Sequence, residues 1–154
     1  MTKFEISIAT KNDIELLTRH RIEMWKNIRP ELKEEAKAME EVTRTWIKKK
    51  LVEGKIFGFI ARTSAGQVAG SGCIWLREDA PRPFNVTLES PYLMSMYTET
   101  DFRRTGVARK IVQHAIDWSR ERGFVTMNLH ASESGAPLYE SFGFAPTTEM
   151  RLKL

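Results

Sequence analysis

The stretch that most constrains this chain runs from Met94 to Gly123 and reads MSMYTETDFRRTGVARKIVQHAIDWSRERG. Residues around Tyr92 to Thr98 are apolar, aromatic and β-prone, whereas Val107, Ala108, Ile111, Val112, Ala115, Ile116 and Ser119 recur at helical spacing. The order is strand, turn, helix. Between the halves lies Arg103-Arg104-Thr105-Gly106-Val107-Ala108, where a residue without Cβ lets a helix start approach another group closely. The first turn of a helix leaves N–H groups unpaired and carries about half a positive charge, so a cation there costs roughly 0.3–1 kcal/mol. Arg103 and Arg104 at the start, with Arg109 and Lys110 one turn in, make sense together if an anion sits there, amides and guanidinium forks converging on phosphate oxygens. The competing reading is a solvated basic face with Thr105 as an ordinary helix cap.

At 154 residues the chain has the length of one domain, read as residues 1–154, and is long enough to bury a substantial core. Its 42% hydrophobic and 29% charged residues are ordinary for a soluble globular protein, and no apolar run approaches the roughly 18 residues of a membrane span. The opening MTKFEISIATKNDIELL lacks a basic-apolar-small targeting pattern, so a cytoplasmic location is expected. Cys73 is the single cysteine and lies in an apolar, β-like run. It reads as a buried small hydrophobe, a catalytic thiol being the alternative that lacks a nearby activating histidine. His20, His114 and His130 have no ligand-like spacing, so no metal is expected. A net charge of +4 permits nucleic-acid binding, but the cations form a local cluster and no extended stripe, which suits one phosphorylated small molecule.

Phe4, Ile6 and Ile8 alternate with polar residues as in a half-buried strand. Thr10 and Asp13 form a capping-box pattern ahead of a helix from about Lys11 to Ile28, which Pro30 punctuates. Glu31 to Glu53 reads as a second helix with a break near Met39, ending at Gly54. Ile56–Arg62 and Val68–Leu76 form a hairpin, with Gly70 and Gly72 signalling a bulge or close backbone approach. Glu78 to Pro91 is a loop, either a loose connection or a substrate-side flap. After the long helix, Val125 to His130 makes a strand parallel to its predecessor through a right-handed crossover. Ser134 is the expected cap of a short helix from about Gly135 to Phe142. A last β segment is expected within Phe144 to Leu154, with Met150, Leu152 and Leu154 on one face.

The six residues from Arg103 to Ala108 match the Gln/Arg-x-x-Gly-x-Gly/Ala signature of motif A in the GNAT superfamily, the Gcn5-related N-acetyltransferases. Leu129-His130-Ala131-Ser132, followed by Pro137-Leu138-Tyr139-Glu140-Ser141-Phe142-Gly143-Phe144, is similar to that family's motif B. Tyr97-Thr98-Glu99 and Ile8-Ala9-Thr10 with Asp13-Ile14 resemble it too, while Thr100 departs from a proline common among relatives. The resemblance implies a GNAT fold, an α/β (α+β) arrangement with one mixed, mostly antiparallel sheet holding a central splayed parallel strand pair between flanking helices.

It further implies acetyl-CoA as cosubstrate, held by the backbone of Met96, Tyr97 and Thr98 along its pantetheine arm. The pyrophosphate would rest on the amides of Arg104, Thr105, Gly106, Val107 and Ala108, with Arg103, Arg104 and Arg109 supplying charge and Ser132 hydrogen-bonding the arm. Tyr139 occupies the general-acid position; a phenol is protonated at neutral pH and can supply the proton that a departing thiolate needs. The other reading of Tyr139 is packing of its short helix on the sheet. Where some relatives carry a catalytic glutamate this chain has Tyr92, so the base falls among Glu89, Glu99, His130 and a water chain, with His130 taken forward. The expectation is an N-acetyltransferase acting by direct transfer on a primary amine, whether of a small molecule, peptide N-terminus, lysine, polyamine or antibiotic. The alternative is a catalytically silent CoA-binding sensor or interaction module. A homodimer is a family-level expectation.

Overall fold

The computed structural model describes residues 3–154. Met1 and Thr2, part of the opening stretch read above for a targeting signal, lie outside them. Five strands, β1 (Phe4–Ile8), β2 (Ile56–Thr63), β3 (Val68–Glu78), β4 (Glu89–Thr98) and β5 (Asn128–Leu129), form one sheet in sequence order. The first three pairings are antiparallel and the β4–β5 pairing is parallel. Three helices, α1 (Ile14–Ile28), α2 (Lys33–Ala38) and α3 (Glu40–Val52), precede β2. A long α4 (Val107–Glu121) joins β4 to β5, and a short α5 (Ala136–Glu140) follows. This is the fold class that the sequence implied.

Both faces of the sheet are covered, and strand alternation decides which side chain goes where. Phe59, Ala61 and Ile74 join Ile111, Val112, Ala115 and Trp118 of α4 on one face. Ile60 and Cys73, their immediate neighbours in sequence, join Leu17 of α1 and Ile47 of α3 on the other. Each fully buried Leu, Ile or Phe contributes roughly 1.5–3 kcal/mol through area removed from water, so these two layers dominate the fold.

The capping box forms as expected: the Thr10 amide donates to Asp13 at 2.8 Å, and the Asn12 amide to Thr10 Oγ1 at 3.2 Å. The helix break falls at Met39, between α2 and α3. The glycines of β3 act in both ways anticipated. The ladder shifts beside Gly70, where Ala61 faces Gly70 but Arg62 faces Val68. A Cβ on Gly70 would lie 2.6 Å from the Tyr97 carbonyl and 2.9 Å from Val107 Cγ1, so its absence lets β4 and α4 close on β3. A second irregularity puts Ser95 and Met96 of β4 opposite Gly72 alone, with Ser95 at φ 57°.

Three expectations are corrected. The strand foreseen over Val125–His130 is only Asn128–Leu129, and Val125 is exposed. The closing β segment does not form; residues 145–154 carry no helix or strand, and Met150, Leu152 and Leu154 are exposed. Apolar alternation specifies a strand only where an edge stands ready to pair, and β5 offers just two residues. The parallel pair consequently closes one edge of the described sheet. Thirdly, the turn before α5 is held by Ser132, whose Oγ accepts the Gly135 amide at 3.1 Å, and not by Ser134.

Candidate functional site

The turn between β4 and α4 begins with a short 3-10 segment at Thr100–Phe102, after which Arg104 (φ 63°) and Gly106 (φ 91°) both adopt left-handed backbone. Thr105 does not cap the helix: its hydroxyl donates to the Phe102 carbonyl at 2.5 Å, and Gly106 occupies the N-cap position. Consequently the amides of Arg104 to Arg109 donate to no acceptor among the described residues; the first to do so is Lys110, to the Gly106 carbonyl at 3.0 Å. Arg103, Arg104 and Arg109 are exposed, and none is paired with a carboxylate among the described residues. Arg103 Nε donates to the Thr98 carbonyl at 3.3 Å with its guanidinium 5.9 Å from the Tyr97 ring, and Arg109 donates to Ser141 Oγ at 3.0 Å. Orphan amides and unpaired guanidiniums thus share one turn.

Beside it, β4 and β5 pair only at Tyr92–Asn128 and Leu93–Leu129. Past Leu93 the β5-facing edge of β4, including Met96, Tyr97 and Thr98, has no strand against it among the described residues. Val107 is buried and Ala108 half-buried. Two side chains of α1 anchor this end of β4. His20 is fully buried, with Nδ1 2.7 Å from Ser71 Oγ and Nε2 2.9 Å from Glu99, and its ring lies 4.8 Å from that of Tyr97. Arg19 completes the cluster by donating to Glu99 at 2.5 Å.

At the other end of the gap, Tyr139 and His130 line one cleft of about 420 Å3. Tyr139 is half-buried, packs edge-on to Phe144 at 6.0 Å, and burial pushes its phenol up to about 12. It therefore keeps its proton through the neutral range. Ser132 lies near it across Gly135, but its hydroxyl already serves the α5 turn. His130 is exposed; its Nδ1 contacts the Tyr92 hydroxyl and its Nε2 accepts from Arg151 at 3.3 Å. Since Arg151 has only donors, Nε2 is the acceptor and Nδ1 carries the proton toward Tyr92. Burial also raises the Tyr92 phenol. Glu89 is paired with Lys55, and Glu99 with Arg19 and His20, which leaves both carboxylates committed. Cys73 is buried, its thiol pushed up to about 12 by burial, which removes it as a nucleophile at neutral pH. Among the described residues no cluster of three His, Cys, Asp or Glu side chains could hold a metal ion.

A second cleft, of about 510 Å3, shares Tyr92, Arg77 and His130 with the first and opens toward α1 and α3. Trp25, Trp46 and Trp75 line it together with Arg21, whose Nη1 donates to Ser95 Oγ at 3.0 Å. The sequence does not by itself connect Arg21 with these tryptophans. The signal available was weak: an arginine and tryptophans on α1, α3 and β3 share a wall only once these elements pack on the sheet.

A mixed sheet that opens at one parallel pair, flanked by an anion-ready helix start and a cleft-lining phenol, is the GNAT architecture. The sequence model of the Acetyltransferase (GNAT) family matches residues 19–144, and the chain belongs to that family. It is similar to the ribosomal protein bS18-alanine N-acetyltransferase of Salmonella typhimurium, 38% identical over 69 residues, 43% of this chain and 47% of that protein. The chain thus matches about half the length of the curated relatives. The crystal structure of a GCN5-related N-acetyltransferase from Ralstonia eutropha JMP134 superposes with a TM-score of 0.90 at 27% identity, covering 99% of both chains. A predicted acetyltransferase from Clostridium acetobutylicum, crystallised with acetyl-CoA, gives 0.84 at 23% identity over 99% of this chain and 96% of that one.

Proposed function

We propose that this chain, a single domain over residues 1–154, is an N-acetyltransferase that moves the acetyl group of acetyl-CoA directly to a primary amine. The observation that carries this reading is the turn at Arg103–Ala108, with its run of unpaired amides and three arginines free of carboxylate partners, beside the open edge of β4. Those groups suit a pyrophosphate, and the free edge of Met96–Thr98 suits an extended amide-bearing arm. No helix among the described residues is long and apolar enough to cross a membrane, and a cytoplasmic setting fits the lone reduced Cys73.

Acetyl-CoA supplies an activated acyl group as a thioester, which an amine lone pair attacks at the carbonyl carbon. The carbon–sulfur bond then breaks, and Tyr139 gives its phenolic proton to the departing sulfur. Its high pKa keeps that proton available across the working range. On the acceptor side, His130 is the base candidate; its free lone pair on Nε2 is taken by Arg151, so it serves only after that contact opens. The same engagement, with Tyr92 in place of a carboxylate, favours the second reading, a CoA-binding module without turnover.

Titration calorimetry with CoA and thiol release from acetyl-CoA across an amine panel test the proposal. Binding with turnover is the expected result. Absence of CoA binding overturns both readings, and binding without turnover on any amine leaves the sensor.

A further inference from the structure

The cleft between α1, α3 and β4 has a chemical bias that narrows the acceptor, given the acetyltransferase reading on which this inference rests. Its only charged side chains are two arginines; no aspartate or glutamate lines it. Neither arginine has a carboxylate partner among the described residues. Arg21 reaches it from α1, held by the hydroxyl of Ser95 at the β4 irregularity, and burial lowers its pKa because nothing anionic compensates the lost water. Arg77 reaches it from β3, its guanidinium 4.1 Å from the Tyr92 ring centre and 5.9 Å from that of Trp75, and its Nε is buried with no acceptor. An arginine desolvated on aromatic rings and short of an acceptor is a site awaiting an oxyanion.

The rest of the wall is apolar. Trp46 stands edge-on to Trp75 at 5.2 Å, and Trp75 edge-on to Tyr92 at 6.3 Å, with Trp25 completing the surface. Half-buried rings of this kind hold another ring or a branched aliphatic body. A volume of about 510 Å3 lies within the range of small-molecule pockets.

We propose that the acceptor is a small amine bearing both an aromatic or bulky apolar body and a carboxylate, of the size of an aromatic amino acid. The carboxylate rests on Arg21 and Arg77, the body lies against the tryptophans, and the amine projects toward the cleft shared by Tyr92 and Tyr139. Polycationic acceptors such as polyamines and aminoglycosides fit poorly, since they would bring further positive charge to two guanidiniums with no carboxylate to receive it. The same two cations disfavour an ammonium beside them, so they help deliver the amine in its neutral, nucleophilic form without a dedicated base.

Thiol release from acetyl-CoA, measured with matched pairs that differ only in the carboxylate, tests this: L-phenylalanine against phenethylamine and L-tryptophan against tryptamine, with spermidine and an alanine-headed peptide alongside. The amino acids should exceed their decarboxylated partners at least tenfold in kcat/KM. Arg21→Met should raise KM for phenylalanine about tenfold or more, narrow the preference for phenylalanine over phenethylamine by a similar factor, and leave KM for acetyl-CoA within twofold. Arg77→Met provides the same readout if the Arg21 variant folds poorly. Equal or better turnover of the decarboxylated amines, of spermidine or of the peptide overturns the inference. In parallel, calorimetry titrates CoA into the protein and then N-acetylphenylalanine into the CoA complex. Failure of the first titration strikes the acetyltransferase reading itself, whereas CoA binding with neither binding nor turnover of any carboxylate-bearing compound strikes this inference alone.

Discussion

The turn ahead of α4 and the cleft beside α1 are both built to hold charge, but from different material. The turn is main chain: Arg104 and Gly106 are left-handed, the amides of Arg104 to Arg109 are left without an acceptor among the described residues, and the arginines around them are exposed. The cleft is side chain: Arg21, Arg77 and three tryptophans drawn from three separate segments, α1, α3 and β3. A main-chain site is carried by local sequence, so it survives drift in the rest of the fold. A side-chain site can be rebuilt by single substitutions, which is how one scaffold comes to serve many acceptors. Mutations should therefore separate cofactor effects at one region from acceptor effects at the other.

The largest separation is expected at Tyr139, which lines the neighbouring cleft that shares Arg77, Tyr92 and His130 with the one beside α1. Tyr139→Phe should lower kcat roughly 10²–10⁴-fold, the usual contribution of a positioned acid. Its affinity for CoA should stay within twofold. A loss under fivefold, with stability reduced instead, would return this residue to a packing role. Next comes Gly70→Ala, where a methyl group would press on the Tyr97 carbonyl and Val107. Overpacking of this kind costs roughly 1–3 kcal/mol, or a few °C in Tm per kcal/mol for a chain of this size. Because both obstructed groups belong to the proposed cofactor site, CoA affinity should fall with Tm. A variant of normal stability and affinity would show that the two layers yield more easily than the spacing suggests.

How far the sequence reveals each region follows from the same contrast. The turn was legible because its geometry needs a glycine at one position and its charge lies within seven residues, Arg103 to Arg109. The sheet's first four strands and the break at Met39 were legible from alternation, caps and punctuation. What failed was non-local. Met150, Leu152 and Leu154 alternate like a strand, yet nothing in the local pattern says whether an edge is there to receive them. Ser134 and Ser132 both look like caps, and only backbone geometry selects Ser132. The cleft beside α1 was illegible for a further reason: Trp46 and Trp75 read equally well as core residues, and no local pattern ties Arg21 to them.

Arg104 sharpens the claim that the turn is a main-chain device. Its φ of 63° costs a residue with Cβ roughly 1–2 kcal/mol, a strain that glycine escapes. Arg104→Ala and Arg104→Gly should both weaken CoA binding several-fold through the lost guanidinium, measured by calorimetry at low salt. Only the glycine variant should gain stability. If the two variants have equal Tm, the left-handed turn at this position is not strained. If neither weakens CoA binding, the amides alone hold the anion.

The smallest effect tests what joins the regions. Adjacent residues of α1 divide between them, His20 to the end of β4 and Arg21 to the cleft, so the His20 bonds to Ser71 and Glu99 help to fix the helix that both regions share. Burial lowers the His20 pKa, with the Glu99 hydrogen bond opposing it, so the folded protein holds this imidazole neutral while the unfolded chain protonates it near pH 6.5. The unfolded state then binds more protons, and stability falls as pH drops below about 6.5 toward the lowered folded value. Between pH 7 and 6 the loss should be a few tenths of a kcal/mol. Glu99, also lowered on balance although burial pushes it upward, adds to the acid loss only as pH approaches the ordinary carboxylate range, so the first unit below 6.5 belongs to His20. Denaturant melts at half-unit intervals would show the slope, and His20→Gln, which keeps a donor and an acceptor but cannot titrate, should flatten it. A slope unchanged in that variant would mean that another group titrates there and that α1 is fixed by its packing alone.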